Sequence, residues 1–275
     1  MQPPEWGIAA LLLAAAPAVA AAQRPLLPAD EVQATARLEA SPRHGEYVRI
    51  GVAPGDSVTA WVVYPERRDK APVVVVIHEI FGLTAWIRGV ADQLAAEGFI
   101  AVAPDLLSGK GPGGGGTESV DRQQAVSLIR GLDRTEVLTR LRVVGLWAAD
   151  RPAANGRVGS VGFCWGGSTS FALATAWEQL GAAVVYYGSA PESGYERIRA
   201  PVLGLYGADD ARVNATIPTA QAEMTRLGKR FESETYDGAG HGFLRQQQER
   251  DGANLRATQA AWPRMLAFFR EALGA

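Results

Sequence analysis

The sequence predicts an α/β fold, with a mainly parallel central sheet flanked by helices, an antiparallel hairpin at its N-terminal edge and no cap domain. Three observations carry this. Short β-branched runs such as "VVVVIH" and "FIAVAP" are apolar without alternation, as in strands buried on both faces. Helical patterns of ten or more residues separate them, so successive strands run parallel through crossovers. The segment "GSAPESGYERIRA" between the strands ending at Tyr187 and starting at Pro201 is too short to hold a cap.

In chain order, "YVRIGV" and "VTAWVVYP" flank the turn-like "APGDS" and form the hairpin. The strand "VVVVIH" follows, then a helix over "AWIRGVADQLAAEG" that stops at Gly98, then the strand "FIAVAP". Further along, a helix near Glu136 to Asp150 precedes the strand "RVGSVGF", and a helix from Trp165 to Leu180 precedes "AAVVYY" and "PVLGLY". A helix around Pro218 to Leu227, the strand "RFESETY" and a final helix to Leu273 complete the pattern.

With 275 residues, 47% of them apolar, the chain is long enough to bury a large core. Its formal net charge of -2, without any Lys/Arg block, argues against nucleic acid or an anionic membrane as partner and for a small-molecule site. Residues 1–22 read as an export signal. An apolar run from Trp6 to Ala22 ends in small residues suited to cleavage after Ala20 or Ala22, although the segment before it holds Glu5 and no Lys or Arg. Residues 23–45 form a leader and residues 46–275 the catalytic domain. In an exported protein the single cysteine has no internal disulfide partner and stays a free thiol.

That cysteine is Cys164, in "VGSVGFCWGG". A strand passing through G-x-C-x-G into a helix is the nucleophile-elbow pattern with cysteine in place of serine, and Gly162 and Gly166 let the backbone cross closely around it. The helix start is expected to lower the thiol pKa below its free value of about 8.5. His241, in "DGAGHGF" after the last strand, is placed to return over the elbow as the base. His44 reads as a solvated leader residue and His78 as a packed strand-end residue. The acid lies in "LYGADDARV", where spacing leaves Asp209 and Asp210 open, with Asp237 a weaker rival. A zinc reading of "HEIFG" lacks its second histidine, and the Gly-rich "SGKGPGGGGTES" lacks the phosphate-loop register. That loop is expected to lie over the site, and no cofactor or metal is implied.

These residues resemble the dienelactone hydrolase family of α/β-hydrolases from about residue 46 onward, with "HEIFGL", "VAPDLL", "GFCWGG", "YYG", "GADDARV" and "GAGHGFLR" in the family's order. The resemblance selects Asp210 as the acid. It gives Glu79 a role in deprotonating Cys164 when substrate arrives, so that the thiol stays neutral until then; the residues alone suggest a strand-end carboxylate paired with Arg88. It implies backbone N–H donors for the oxyanion at Ile80 and Trp165, and a substrate carboxylate held by Arg245. The family's other arginine, after "PDL", is replaced by Gly109, with Lys110 next to it as a stand-in. The implied activity is hydrolysis of a small or medium ester or lactone through an acyl-thioester. A broad carboxylesterase or thioesterase on the same triad is the alternative. A non-catalytic binding protein is the weaker one, since no triad member is missing.

Overall fold

In the computed structural model the chain is described over residues 26–274, with Gln2 alone before them; the expected export signal lies outside this range. One eight-stranded sheet runs in the order β1-β2-β4-β3-β5-β6-β7-β8. Strands β1 (Gly45–Ala53) and β2 (Asp56–Val63) form the expected antiparallel hairpin, and β2 pairs antiparallel with β4 (Ile100–Pro104). From β4 onward every pairing is parallel, through β3 (Ala71–Ile77), β5 (Ala154–Phe163), β6 (Ala182–Tyr186), β7 (Val202–Gly207) and β8 (Phe231–Tyr236).

The continuous apolar run of β3 is explained by its two covered faces. Val74 and Val76 join one core with α2 (Ala85–Ala96) and α8 (Ala253–Leu273), which contribute Trp86, Val90, Trp262 and Phe269. Val73, Val75 and Ile77 join the other with α4 (Arg134–Ala149), α5 (Trp165–Ala176) and α7 (Ile217–Arg226). A side chain on either face is removed from water, so polar alternation would bury unpaired groups.

Three elements differ from the sequence reading. Helix α1 (Ala34–Glu39) lies within the leader, and α3 (Arg122–Arg130) follows the Gly-rich loop. Only Ala125 and Ile129 of α3 are buried, so its apolar signal is weak; its start is set by a capping box in which Asp121 accepts from the Gln124 N–H and Gln124 reaches back to Asp121. Helix α5 stops at Ala176, four residues early, because Trp177 turns extended and its indole packs against Gly145 of α4.

The strand-to-helix crossing at β5 and α5 admits no side chain. A Cβ on Gly162 would sit 1.9 Å from the Gly166 carbonyl oxygen, and one on Gly166 would sit 2.3 Å from the Ile77 carbonyl oxygen at the end of β3. Both obstacles are backbone, which cannot rotate away as a side chain can. Gly162→Ala is therefore expected to destabilise by about 3 kcal/mol or more, lowering Tm by roughly 6–12 °C. Gly89→Ala, in α2 with nothing near the added methyl group, is expected to stabilise by about 0.5–1 kcal/mol. Thermal melts followed by circular dichroism check both; equal Tm values for the two variants would contradict this account.

Candidate active site

The parallel registers bring the carboxyl ends of five strands to one edge, where open α/β sheets place their ligands. Ile77 pairs with Gly162, Phe163 with Tyr186, and Gly207 with Tyr236. The residues that follow these ends are His78 and Glu79, Cys164, Tyr187, Asp210 and His241. Chemistry-bearing side chains far apart in sequence thus share one edge.

Cys164 adopts φ 57° and ψ -117°, a left-handed conformation that a non-glycine residue holds at a cost of about 1–3 kcal/mol. Its N–H donates to the Tyr186 carbonyl at 3.1 Å, and its side chain is partly exposed. The thiol does not follow the expectation of a lowered pKa. Burial, then the nearby Glu79 carboxylate, push it up to about 11, while the Trp165 N–H at the helix start and the more distant Arg212 and Arg245 pull it down less. Desolvation of the thiolate outweighs the helix N-terminus, which agrees with the neutral resting thiol that the family resemblance implies.

His241 is held by Asp210, whose Oδ2 accepts from His241 Nδ1 at 2.6 Å. This carboxylate fixes the tautomer with the proton on Nδ1, leaving the Nε2 lone pair for chemistry. Asp209 is turned away and pairs with Arg250 at 2.5 Å, and Asp237 is exposed, so spacing alone misses a choice that geometry makes. The loop bearing His241 is tied to the start of α8. Asn254 accepts from the Gly240 N–H at 3.0 Å and donates to the Gln246 carbonyl at 2.8 Å. No hydrogen bond joins Cys164 to His241 among the described residues.

Glu79 is paired with Arg245, not with Arg88. Arg245 Nε lies 2.6 Å from Glu79 Oε2, and the two form an ion pair. Arg88 instead lies over the rings of Tyr47 and Trp61. Burial raises the Glu79 pKa to about 7 against the opposing charge of Arg245, so its carboxyl group is poised to change protonation near neutrality. A second carboxylate, Glu31 from the leader, also pairs with Arg245. The Arg245 side chain is only 11% exposed and faces both carboxylates.

The other side chains expected at this edge are elsewhere. Lys110 pairs with Glu136 at 2.7 Å and does not stand in for the arginine that Gly109 replaces. The Gly-rich loop lines a cavity of about 630 Å³ with Tyr47, Arg88 and Asp105, whose walls do not include Cys164, Asp210 or His241. Its Thr117 donates from Oγ1 to Asp105 and accepts there from the Leu83 N–H at 3.0 Å. The loop therefore braces the segment after β3 instead of lying over the thiol. His78 supports the same segment. It accepts from the Leu106 N–H on Nε2 and donates from Nδ1 to the Glu79 carbonyl at 2.7 Å, which requires the neutral ring that its burial favours. His44 is exposed, as expected.

Two residues at this edge carry no clear sequence signal. Tyr187 has φ 39°, its ring meets His241 edge-on at 5.2 Å, and its buried hydroxyl has no hydrogen-bond partner among the described residues. Glu31 is separated from Arg245 by 214 positions. The repeated tyrosines of "YYG" were visible as a motif, but the backbone twist that aims the second was not.

The dienelactone hydrolase family profile matches residues 58–273. The carboxymethylenebutenolidase of Pseudomonas putida is 33% identical over 205 residues, which span 73% of this chain and 86% of that one. A solved chain from Klebsiella pneumoniae subsp. pneumoniae superposes with a TM-score of 0.71 at 30% identity, covering 82% of this chain and 98% of its own. A dienelactone hydrolase-like promiscuous phosphotriesterase from metagenomic libraries superposes with a TM-score of 0.68 at 26% identity, over 84% and 98% of the two chains. With the sheet order, the elbow and the profile in agreement, the chain belongs to the dienelactone hydrolase family and is a hydrolase of ester bonds.

Proposed function

We propose that Cys164 is the nucleophile of an ester or lactone hydrolase that works through an acyl-thioester. The observation that carries this reading is the strained Cys164 at the β5–α5 crossing, on the same sheet edge as a His241 whose tautomer Asp210 fixes. In the resting site the thiol is protonated. When substrate enters, Glu79 takes the thiol proton, and sulfur attacks the carbonyl carbon. The N–H groups of Ile80 and Trp165 receive the developing oxyanion. The tetrahedral centre collapses with loss of the alkoxide, which takes up the proton that Glu79 removed from the thiol and leaves as the alcohol. The thioester is then attacked by a water whose proton passes to His241 Nε2, and the thiol leaves with the free acid.

Two features favour broad carboxylesterase action over a narrow lactonase. No cap lies between β6 and β7, where the connection holds only a short turn at Tyr195–Arg197. Arg245, the expected reader of a substrate carboxylate, already faces two carboxylates. A panel of p-nitrophenyl esters and lactones distinguishes these alternatives by the spread of kcat/KM.

Cys164→Ala is expected to lower hydrolysis across that panel by about 10⁴-fold or more with the fold retained, because only the sulfur is removed. A variant that turns over esters at the parental rate would falsify the nucleophile assignment. With the thiol at about 11, alkylation by iodoacetamide without substrate is expected to be slow at pH 8 and to keep rising through pH 10. The thiolate fraction at pH 8 is then about one in a thousand, against roughly a quarter for an ordinary thiol, so labelling is about 10²-fold slower.

Glu79→Gln separates charge repulsion from proton transfer. Losing the carboxylate beside sulfur lowers the thiol pKa, and each unit gained speeds alkylation about tenfold. Losing the base slows hydrolysis by about 10²-fold or more. Alkylation and hydrolysis moving in the same direction would count against the role given to Glu79.

A further inference from the structure

The leader is docked onto the catalytic domain, outside the span that matches the family. That match begins at residue 58. Before it, Leu27 packs against the core, the Pro28 carbonyl accepts from Gln247 Nε2 at 2.9 Å, and the Ala29 carbonyl accepts from Trp86 Nε1 at 3.1 Å. The Glu31 N–H donates to the Arg245 carbonyl at 2.9 Å, and Arg43 pairs with the buried Asp92 at 2.6 Å. This chain segment has one geometry, and it delivers Glu31 to the site edge.

There the Glu31 carboxylate bridges two guanidinium groups. One oxygen meets Arg122 at 2.7 Å and the other meets Arg245. Both arginines gather around Phe81, with guanidinium carbons 3.5 Å and 5.3 Å from its ring centroid. Phe81 directly follows Ile80, the proposed oxyanion donor, and Arg245 acts electrostatically on Cys164. The two guanidinium groups of Arg122 and Arg245 thus face the carboxyl groups of Glu31 and Glu79.

We propose that Glu31 is a specificity-determining residue, a built-in carboxylate that occupies the Arg122–Arg245 pair so that the site takes uncharged esters and lactones and rejects those bearing a carboxylate. The proposal rests on the hydrolase reading above and names its substrate class. An incoming anion must displace a competitor held on its own chain, at an effective concentration on the order of millimolar or higher. If it does not, it adds a further negative charge beside the Glu31 carboxylate and the Glu79 carboxyl group. An uncharged ester meets neither barrier.

Two ligands that the enzyme does not cleave test this without requiring turnover. N-methylsuccinamate carries one carboxylate, and N,N′-dimethylsuccinamide is its neutral counterpart. Calorimetric titration of the full chain is expected to give weaker binding of the anion in the parent. In Glu31→Gln, which keeps the shape and removes the charge, the ratio of anion to neutral affinity should rise at least about tenfold, as expected for a freed charge-assisted pair. Glu31→Ala is expected to give the same ordering, and Glu31→Asp to keep the parental preference. General damage to the site would lower both affinities together and leave the ratio unchanged. An anion that binds Glu31→Gln and Glu31→Ala no more tightly than it binds the parent overturns the proposal. Failure of the nucleophile reading shows separately, as p-nitrophenyl butyrate hydrolysis that survives Cys164→Ala.

Discussion

Backbone passing against backbone at the end of β5 is the constraint on which the rest depends. Gly162, Gly166 and the terminal carbonyls of β3 approach so closely that the chain has one way through, and that path leaves Cys164 in the left-handed region. The same crossing places the first turn of α5 against the end of β3, where Gly166 meets the Ile77 and His78 carbonyls. Phe163 behind the elbow is fully buried between Trp86 and Tyr186, which anchors the strained residue in packed core. Strain of this kind persists only where surrounding contacts exceed it.

Electrostatics at the edge then follow from burial more than from helix dipoles. A thiol near a carboxylate and largely screened from water stays protonated, and a buried carboxylate facing a guanidinium is held near its titration point. The Glu79 charge acts on the thiol, so a change in the solvation of one group changes the proton affinity of both. Around them sit supports: His78 and Thr117 brace the segment after β3, and Asn254 holds the loop that carries His241.

Much of this was legible in the sequence because short-range rules carried it. Valines without alternation require two covered faces, and β3 has them; glycines flanking a strand-to-helix junction require a close crossing, and β5–α5 provides it. What failed to show depends on distance or solvation. The acid was ambiguous because Asp209 and Asp210 are adjacent, and only the folded loop sends one to His241 and the other to Arg250. Glycine content suggested a flap, whereas Asp105 and Thr117 fasten the loop as a brace. The thiol was misjudged because a helix start is visible in a sequence and the removal of water is not. Glu31 left no local trace, since its partner lies 214 positions away.

The tie between Asn254 and Gly240 links the placement of His241 to the docking of α8. Helix α8 packs onto β5, β6 and β7 through Trp262, Met265 and Phe269, so its docking draws on most of one core. Because the first turn of that helix also fixes the loop carrying His241, any fluctuation that lifts α8 takes the imidazole with it. Local opening here and displacement of His241 from Asp210 are a single cooperative event, and amide protection along α8 would report the population of molecules in which the two are paired.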